Sequence, residues 1–164
     1  MDVRLVNDID LYSKSKENQF FDRKSARIKP LDILKHLVAF SNAEGGKLVI
    51  GIEDNGDISG FTCNGAHSID EYRNIFLTEL RETPINPKFE VVPVTNLQGK
   101  EDNILVISVE ISSDKVIKSY DGKVYLRQND TSRELNFEQT LELKYDRGQR
   151  SFEDEVVEYH LWRI

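Results

Sequence analysis

The sequence is short of the residues that staple or metallate small folds. One cysteine, Cys63, stands among 164 residues, which excludes an internal disulfide and a thiolate zinc site. The three histidines, His36, His67 and His160, sit at unrelated spacings, so neither a zinc site nor a nucleophile triad is indicated. No apolar run approaches the roughly 20 residues of a membrane span. The start, MDVRLVNDIDLYSK, lacks the apolar stretch of a secretory signal, and a cytoplasmic location is the default expectation. Positive charge is also scarce. Twenty-two Lys and Arg face 29 Asp and Glu, a net of −7, which argues against coating a polyanion through an overall basic surface. Internal repeats and low-complexity tracts are absent.

What is present suits one soluble domain. Hydrophobic residues make up 38% and charged residues 31%, enough to build a single core at this length. The charge is uneven. Residues 1–50 hold nine basic against seven acidic residues, a net of +2 that leaves −9 for the remainder. Lys14, Lys16, Arg23, Lys24, Arg27, Lys29 and Lys35 fall between positions 14 and 35, with Glu17, Asp22 and Asp32 among them. A polyanion would meet the protein there, although solvated surface charges have the same composition.

Periodicity predicts the elements. Residues 5–13 read as a short leading helix and QFFDRK (19–24) as a strand. Pro30 fits a helix first turn, and Ile33, Leu34, Leu37, Val38 and Ser41 recur at helical spacing. Gly45-Gly46 supplies a C-cap. KLVIGI (47–52) is a β-branched apolar run expected to be a buried strand. Residues 53–57 carry Asn-Gly turn chemistry, and ISGF (58–61) returns as a short strand. A second helix is predicted over 68–81 through Ile69, Tyr72, Ile75, Phe76 and Leu80, with Ser68 and Glu71 as a capping box; Pro84 and Pro87 end it. FEVVPVTN (89–96) and NILVISVEI (103–111) form a long hairpin, Pro93 placing the first at an edge. A second hairpin is expected from VIKSY (116–120), the Asp121-Gly122 turn and KVYLRQ (123–128). NFEQTLELKYDR (136–147) is a last helix ending at Gly148. The expected fold is α+β: a mixed, largely antiparallel sheet with β-hairpins packed against two or three helices. The domain spans 1–148, and 149–164 form an acidic-aromatic tail or a linker to a further C-terminal region.

Three groups could carry chemistry. Arg23, Lys24, Arg27 and Lys29 could neutralise phosphates and release counterions, beside backbone donors at a helix start. Glu17, Asp22 and Asp54 are a candidate carboxylate cluster, of the oxygen-ligand kind that suits Mg²⁺ or Mn²⁺ and can activate water. On a regular strand Glu17 and Asp22 would face opposite sides, so convergence needs Glu17 to precede the strand or flank a bulge. Asp54 before Asn-Gly also reads as plain turn chemistry. EGGKLVIG runs helix, glycines, strand, the reverse of a phosphate-binding Walker loop.

The order of motifs, ENQFFDRK (17–24), LVAFSNAEGGKLVIGIEDNGDISGF (37–61) and VYLRQNDTSREL (124–135), resembles the Schlafen AlbA-type DNA-binding domain family. The resemblance spans about residues 15–140. It implies a nucleic-acid-binding module of a bacterial transcriptional regulator, with a further C-terminal region in the full-length protein. On this reading the expectation is a module that requires no cofactor and is not a free-standing enzyme, with Mg²⁺ or Mn²⁺ entering only under the nuclease alternative below. Arg23, Lys24, Arg27 and Lys29 would contact DNA or RNA phosphates, with Arg127 and Arg133 as secondary contacts. A eukaryotic branch of the family carries a metal-dependent endoribonuclease site, which falls by motif on Glu17, Asp22 and Asp54. Here the second position is Asp, one methylene shorter than Glu, Arg23 replaces an aromatic residue, and Gln128-Asn129-Asp130 replace a Gly-Ser; each departure weakens that transfer. A protein-interaction or homodimerisation module is a further alternative, through the edge strand near Pro93 or the apolar tail.

Overall fold

The computed structural model describes residues 3–79 and 85–147. Helix α1 (Val3–Lys14) leads into β1 (Phe21–Lys24), a 3₁₀ turn (Pro30–Ile33), α2 (Leu34–Asn42), β2 (Gly46–Ile50) and α3 (Ile69–Thr78). β3 (Lys88–Thr95), β4 (Glu101–Val109), β5 (Tyr125–Gln128), β6 (Thr131–Glu134) and α4 (Phe137–Asp146) complete the chain. β1, β2, β4 and β3 form a four-stranded sheet in that order, while β5 and β6 pair separately. β1 runs parallel to β2, and the other pairs are antiparallel. The fold is α+β.

Strand alternation separates two cores. Leu48 and Ile50 of β2 with Leu105, Ile107 and Val109 of β4 pack against Leu34, Leu37 and Phe40 of α2 and Tyr72 of α3. Val49, Ile104 and Val106 point the other way, joining Phe21, Val92 and Val94 beneath Ile9 and Tyr12 of α1. Helix α2 lies between the sheet and the β5–β6 hairpin, so every α2 residue except Lys35 is buried. Its buried polar residues, His36, Ser41 and Asn42, are each hydrogen-bonded, as such a central position requires.

The local signals behave as their chemistry dictates. Ser68 and Glu71 form the capping box of α3, and Asn136 with Gln139 forms another at α4. Gly45 takes φ +81° after α2, and its N–H donates to the Phe40 carbonyl at 2.7 Å. Pro93 lies in the edge strand β3. ISGF contributes only a single bridge, Ile52 to Ile58.

The second hairpin differs from expectation. Asp121-Gly122 does turn the chain, with Ser119 N–H donating to the Lys123 carbonyl, but the flanking segments do not pair as strands. Ile117 is claimed by Asn42 instead. The Asn42 amide donates to the Ile117 and Tyr125 carbonyls at 2.9 Å each and accepts from Ile117 N–H at 2.7 Å. The hairpin forms one turn later, around Asn129 at φ +55°, a conformation Asn tolerates better than most residues. The tail at 149–164, Gly148, and positions 80–81 expected of the second helix lie outside the described residues. Among the described residues no helix is long and apolar enough to cross a membrane.

Candidate functional site

The four residues of β1 alternate between the two cores, and this divides the basic stretch. Asp22 and Lys24 face α2, whereas Phe21 and Arg23 face α1. Asp22 is 1% exposed and sits among three basic groups. Its Oδ2 accepts from Arg127 Nη1 at 2.7 Å and lies 3.7 Å from His36 Nδ1; its Oδ1 lies 3.4 Å from Lys24 Nζ.

Arg127 was expected as a phosphate contact, and the structure commits it elsewhere. It is 1% exposed. Nε donates to the Asn18 and Asn129 carbonyls, Nη1 also to Ser132 Oγ at 3.0 Å, and Nη2 to the Phe21 carbonyl at 3.1 Å. The guanidinium lies over the Phe40 ring, 4.7 Å from its centroid. A planar five-donor fork is the one side chain that can tie β1, the hairpin and α2 together. Arg23 is also buried, donating to the Tyr12, Ser15 and Asp54 carbonyls; it binds the end of α1 to the turn after β2. Neither guanidinium is free for a phosphate.

The remaining expected contacts reach solvent. Lys24 is partly exposed. Arg27 is exposed, ion-paired to Glu53, and donates to the Asn64 carbonyl at 2.8 Å. Lys29 is exposed, and so is Arg133, whose Nη1 reaches Gln128 Oε1 at 3.3 Å. Lys35, counted in the basic stretch but not among the expected contacts, is exposed on α2, and His36, set aside as a histidine at no telling spacing, meets Ser132 Oγ through Nδ1 at 2.8 Å. That contact sets the start of α2 against β6, bringing Lys35 beside the strand that carries Arg133. Only a three-dimensional contact joins them, and no spacing in the sequence signals it.

Of the three candidate carboxylates, Glu17 feels the charge of Asp22 most and that of the exposed Asp54 least. Glu17 precedes β1, immediately before the tight segment closed by the Asn18–Phe21 bridge. Its carboxyl is pushed up to about 7 by burial first, then by the charge of Asp22 and a hydrogen bond with it, with Asp54 adding to the rise. Burial also works against ionisation of Asp22, but His36, Lys24 and Arg127 outweigh it and hold that carboxyl below its ordinary value. Burial lowers His36 to about 4, so the ring is neutral at pH 7 and the two permanent cations stabilise Asp22 there. Asp22 Oδ1 is buried without a hydrogen-bond partner among the described residues.

This arrangement does not fit a divalent metal. Lys24 and Arg127 face the two Asp22 oxygens that a metal would need, and cations there repel a second cation. Among the described residues no three His, Cys, Asp or Glu side chains are grouped to hold a metal ion. Nor do Ser132, His36 and Asp22 form a nucleophile triad. Both partners address the same ring nitrogen, whereas a triad needs the base to use one nitrogen for each.

Asp102 organises a separate buried network. Its carboxylate accepts from Phe61 N–H, Thr62 Oγ1, Asn96 Nδ2 and Asn103 N–H at 2.6–3.0 Å. Burial opposes its ionisation, but these donors bring the carboxyl down to about 2. The network pins the loop after β2 to β4 and is structural.

Comparison with known proteins agrees with this architecture. No curated protein matches the chain. Among solved structures, the DIP2311 protein from Corynebacterium diphtheriae superposes with a TM-score of 0.57 at 21% identity, covering 87% of this chain and 28% of that one. The likeness is one of fold, and the matched portion is a minor part of the longer protein. A family model described as "Schlafen, AlbA_2" matches residues 17–136, from Glu17 through the β5–β6 hairpin to the cap of α4. The chain therefore belongs to the Schlafen AlbA_2 family.

Proposed function

We propose that this chain is a nucleic-acid-binding module without catalytic turnover, holding phosphates at the junction of β1, the start of α2 and β6. One observation carries the reading. Asp22, a buried carboxylate, is set among Lys24, Arg127 and His36, with the exposed Lys35 next to His36 at the start of α2; Arg133 follows Ser132 on β6 and points to the other face of the hairpin. Lys24 and Lys35 are the cations of this junction that reach solvent, and Arg27 and Lys29 are exposed in the loop between β1 and α2, on a protein of net charge −7. Solvent-reaching cations gathered in one stretch are what a phosphate chain requires.

Lys24 and Lys35 are the proposed phosphate contacts, with Lys29, Arg27 and Arg133 as outer ones. The Arg27–Glu53 pair is solvent-exposed, and exposed pairs of this kind are weak enough to yield to a phosphate. Arg23 and Arg127 act indirectly, by fixing the elements that present the others. The family likeness supports DNA as the first ligand to try, structured RNA as the second, and a role within a bacterial transcriptional regulator.

The test is binding of labelled duplex DNA, single-stranded DNA and structured RNA at about 50 mM salt, with the salt slope recorded. Lys35→Gln with Arg133→Gln should weaken binding by about tenfold and flatten the slope, while Lys100→Gln at the distant β3–β4 turn leaves both unchanged. No binding to any of the three ligands would overturn the reading.

A further inference from the structure

Helix α4 presents an apolar stripe that nothing among the described residues covers. Phe137, Leu141 and Tyr145 follow one another at i, i+4 and i+8 and are 78%, 37% and 48% exposed. That spacing puts them on one face. The opposite face docks, with Leu143 buried and Arg147 donating to the Asn42 and Ala43 carbonyls at the end of α2. The stripe is therefore not a helix poorly packed on its own domain. It is the outward side of one that is already anchored.

Two grooves run along α4 and share Asp146. One, of about 470 Å³, is lined by Leu141, Glu142, Tyr145 and Asp146. The other, of about 530 Å³, is floored by Leu126 and Leu143, flanked by the exposed Phe20, and rimmed by Glu44 and Asp146. Glu44, Glu138, Glu142 and Asp146 are all exposed. Arg147 turns its guanidinium inward, so Lys144 is the remaining basic residue of the helix. The apolar strip thus carries an acidic border along its Glu138–Glu142–Asp146 flank, with Lys144 on the other.

We propose that this face binds a basic amphipathic helix of a partner protein. Its aliphatic side would lie along Phe137, Leu141 and Tyr145, and its Lys or Arg residues would meet Glu142, Asp146 and Glu44. An exposed helical stripe accepts a second helix laid along it, and the carboxylates on its Glu142–Asp146 flank select the charge of that helix. A polyanion is excluded from this face by the same carboxylates.

The probe is a synthetic peptide with leucine and lysine at helical spacing, set beside the same peptide with glutamate in place of lysine. The full chain should bind the lysine peptide and not the glutamate one. Leu141→Ser with Tyr145→Ser should weaken binding by about tenfold, as should Glu142→Lys with Asp146→Lys; Glu90→Lys on the distant strand β3 should leave it unchanged. Absence of binding, equal binding by all variants, or an equal loss with Glu90→Lys would overturn the proposal. So would a dimer in sedimentation that disappears with the serine pair, because the stripe would then belong to a second copy. Lys35→Gln with Arg133→Gln should leave peptide binding within about twofold, so this proposal and the nucleic-acid reading can fail separately.

Discussion

Asp22 and Arg127, 105 residues apart in sequence, meet at 2.7 Å with both side chains removed from solvent. The pair joins the first strand of the sheet to the last hairpin. Removing one partner of a buried pair leaves an uncompensated charge, at a cost of about 3–5 kcal/mol. Arg127→Met should therefore lower unfolding stability by that amount in urea titrations. Asp22→Asn added to it should recover part of the loss, with a coupling of about 1–3 kcal/mol. Additive losses would mean that the two charges do not hold one another.

Glu17 gives stability a pH slope with a definite sign. Its carboxyl titrates near 7 in the fold against an ordinary 4.5, so the native state binds more protons between those values. Stability from this group falls as pH rises from about 4.5 to 7 and is level above. Glu17→Gln should remove that fall, by about 1–2 kcal/mol after allowing for solvent screening. His36 opposes it, since its lowered value near 4 makes stability rise with pH between about 4 and 6.5. Thermal melts of Glu17→Gln and His36→Gln across pH 4–8 separate the contributions.

The Asp102 network ties a glycine to a carboxylate. Gly60 has φ +67°, and a Cβ there would lie 2.1 Å from Asp102 Oδ2. Gly60→Ala should cost about 2–3 kcal/mol through strain and displacement of the carboxylate. Asp102→Asn should destabilise by a similar amount at pH 7. Because the carboxyl titrates near 2, its contribution is present above about 4 and lost as pH falls towards 2. Melts of both variants at pH 3 and pH 7 check the direction.

Divalent metal should do little. With Lys24 and Arg127 set against Asp22, millimolar Mg²⁺ or Mn²⁺ should leave the melting temperature unchanged, since a ligand that does not bind the native state cannot stabilise it. Structured RNA incubated with Mn²⁺ should stay intact. Stabilisation by metal together with cleavage abolished by Asp54→Ala would restore the nuclease reading.

Much of the scaffold was legible because its signals are local. The 3.6-residue rhythm of α2, the glycine at its end, the apolar run of β2 and the Ser68–Glu71 cap each depend on neighbours in sequence. The hairpin was misplaced because Asp121-Gly122 is a sound turn, and only the long-range demand of Asn42 on Ile117 withholds the strand pairing before it. The site was harder to read. Arg23 and Arg127 have the composition of ligand contacts, and burial, which decides their role, is a tertiary property. Lys35 is one charge of a basic stretch and His36 a histidine at no telling spacing; only the fold brings Ser132 to His36.

The shortness of β1 has a consequence for how the protein can fail. Its four residues place an acid and a lysine on one side of the sheet and a phenylalanine and an arginine on the other. Sliding that segment by a single position along β2 would exchange the sides. Phe21 and Arg23 would be thrust among His36 and Arg127, and Asp22 would enter the greasy layer under the first helix. Two assemblies on opposite surfaces would break at once, so the alignment of one short edge segment governs whether both exist.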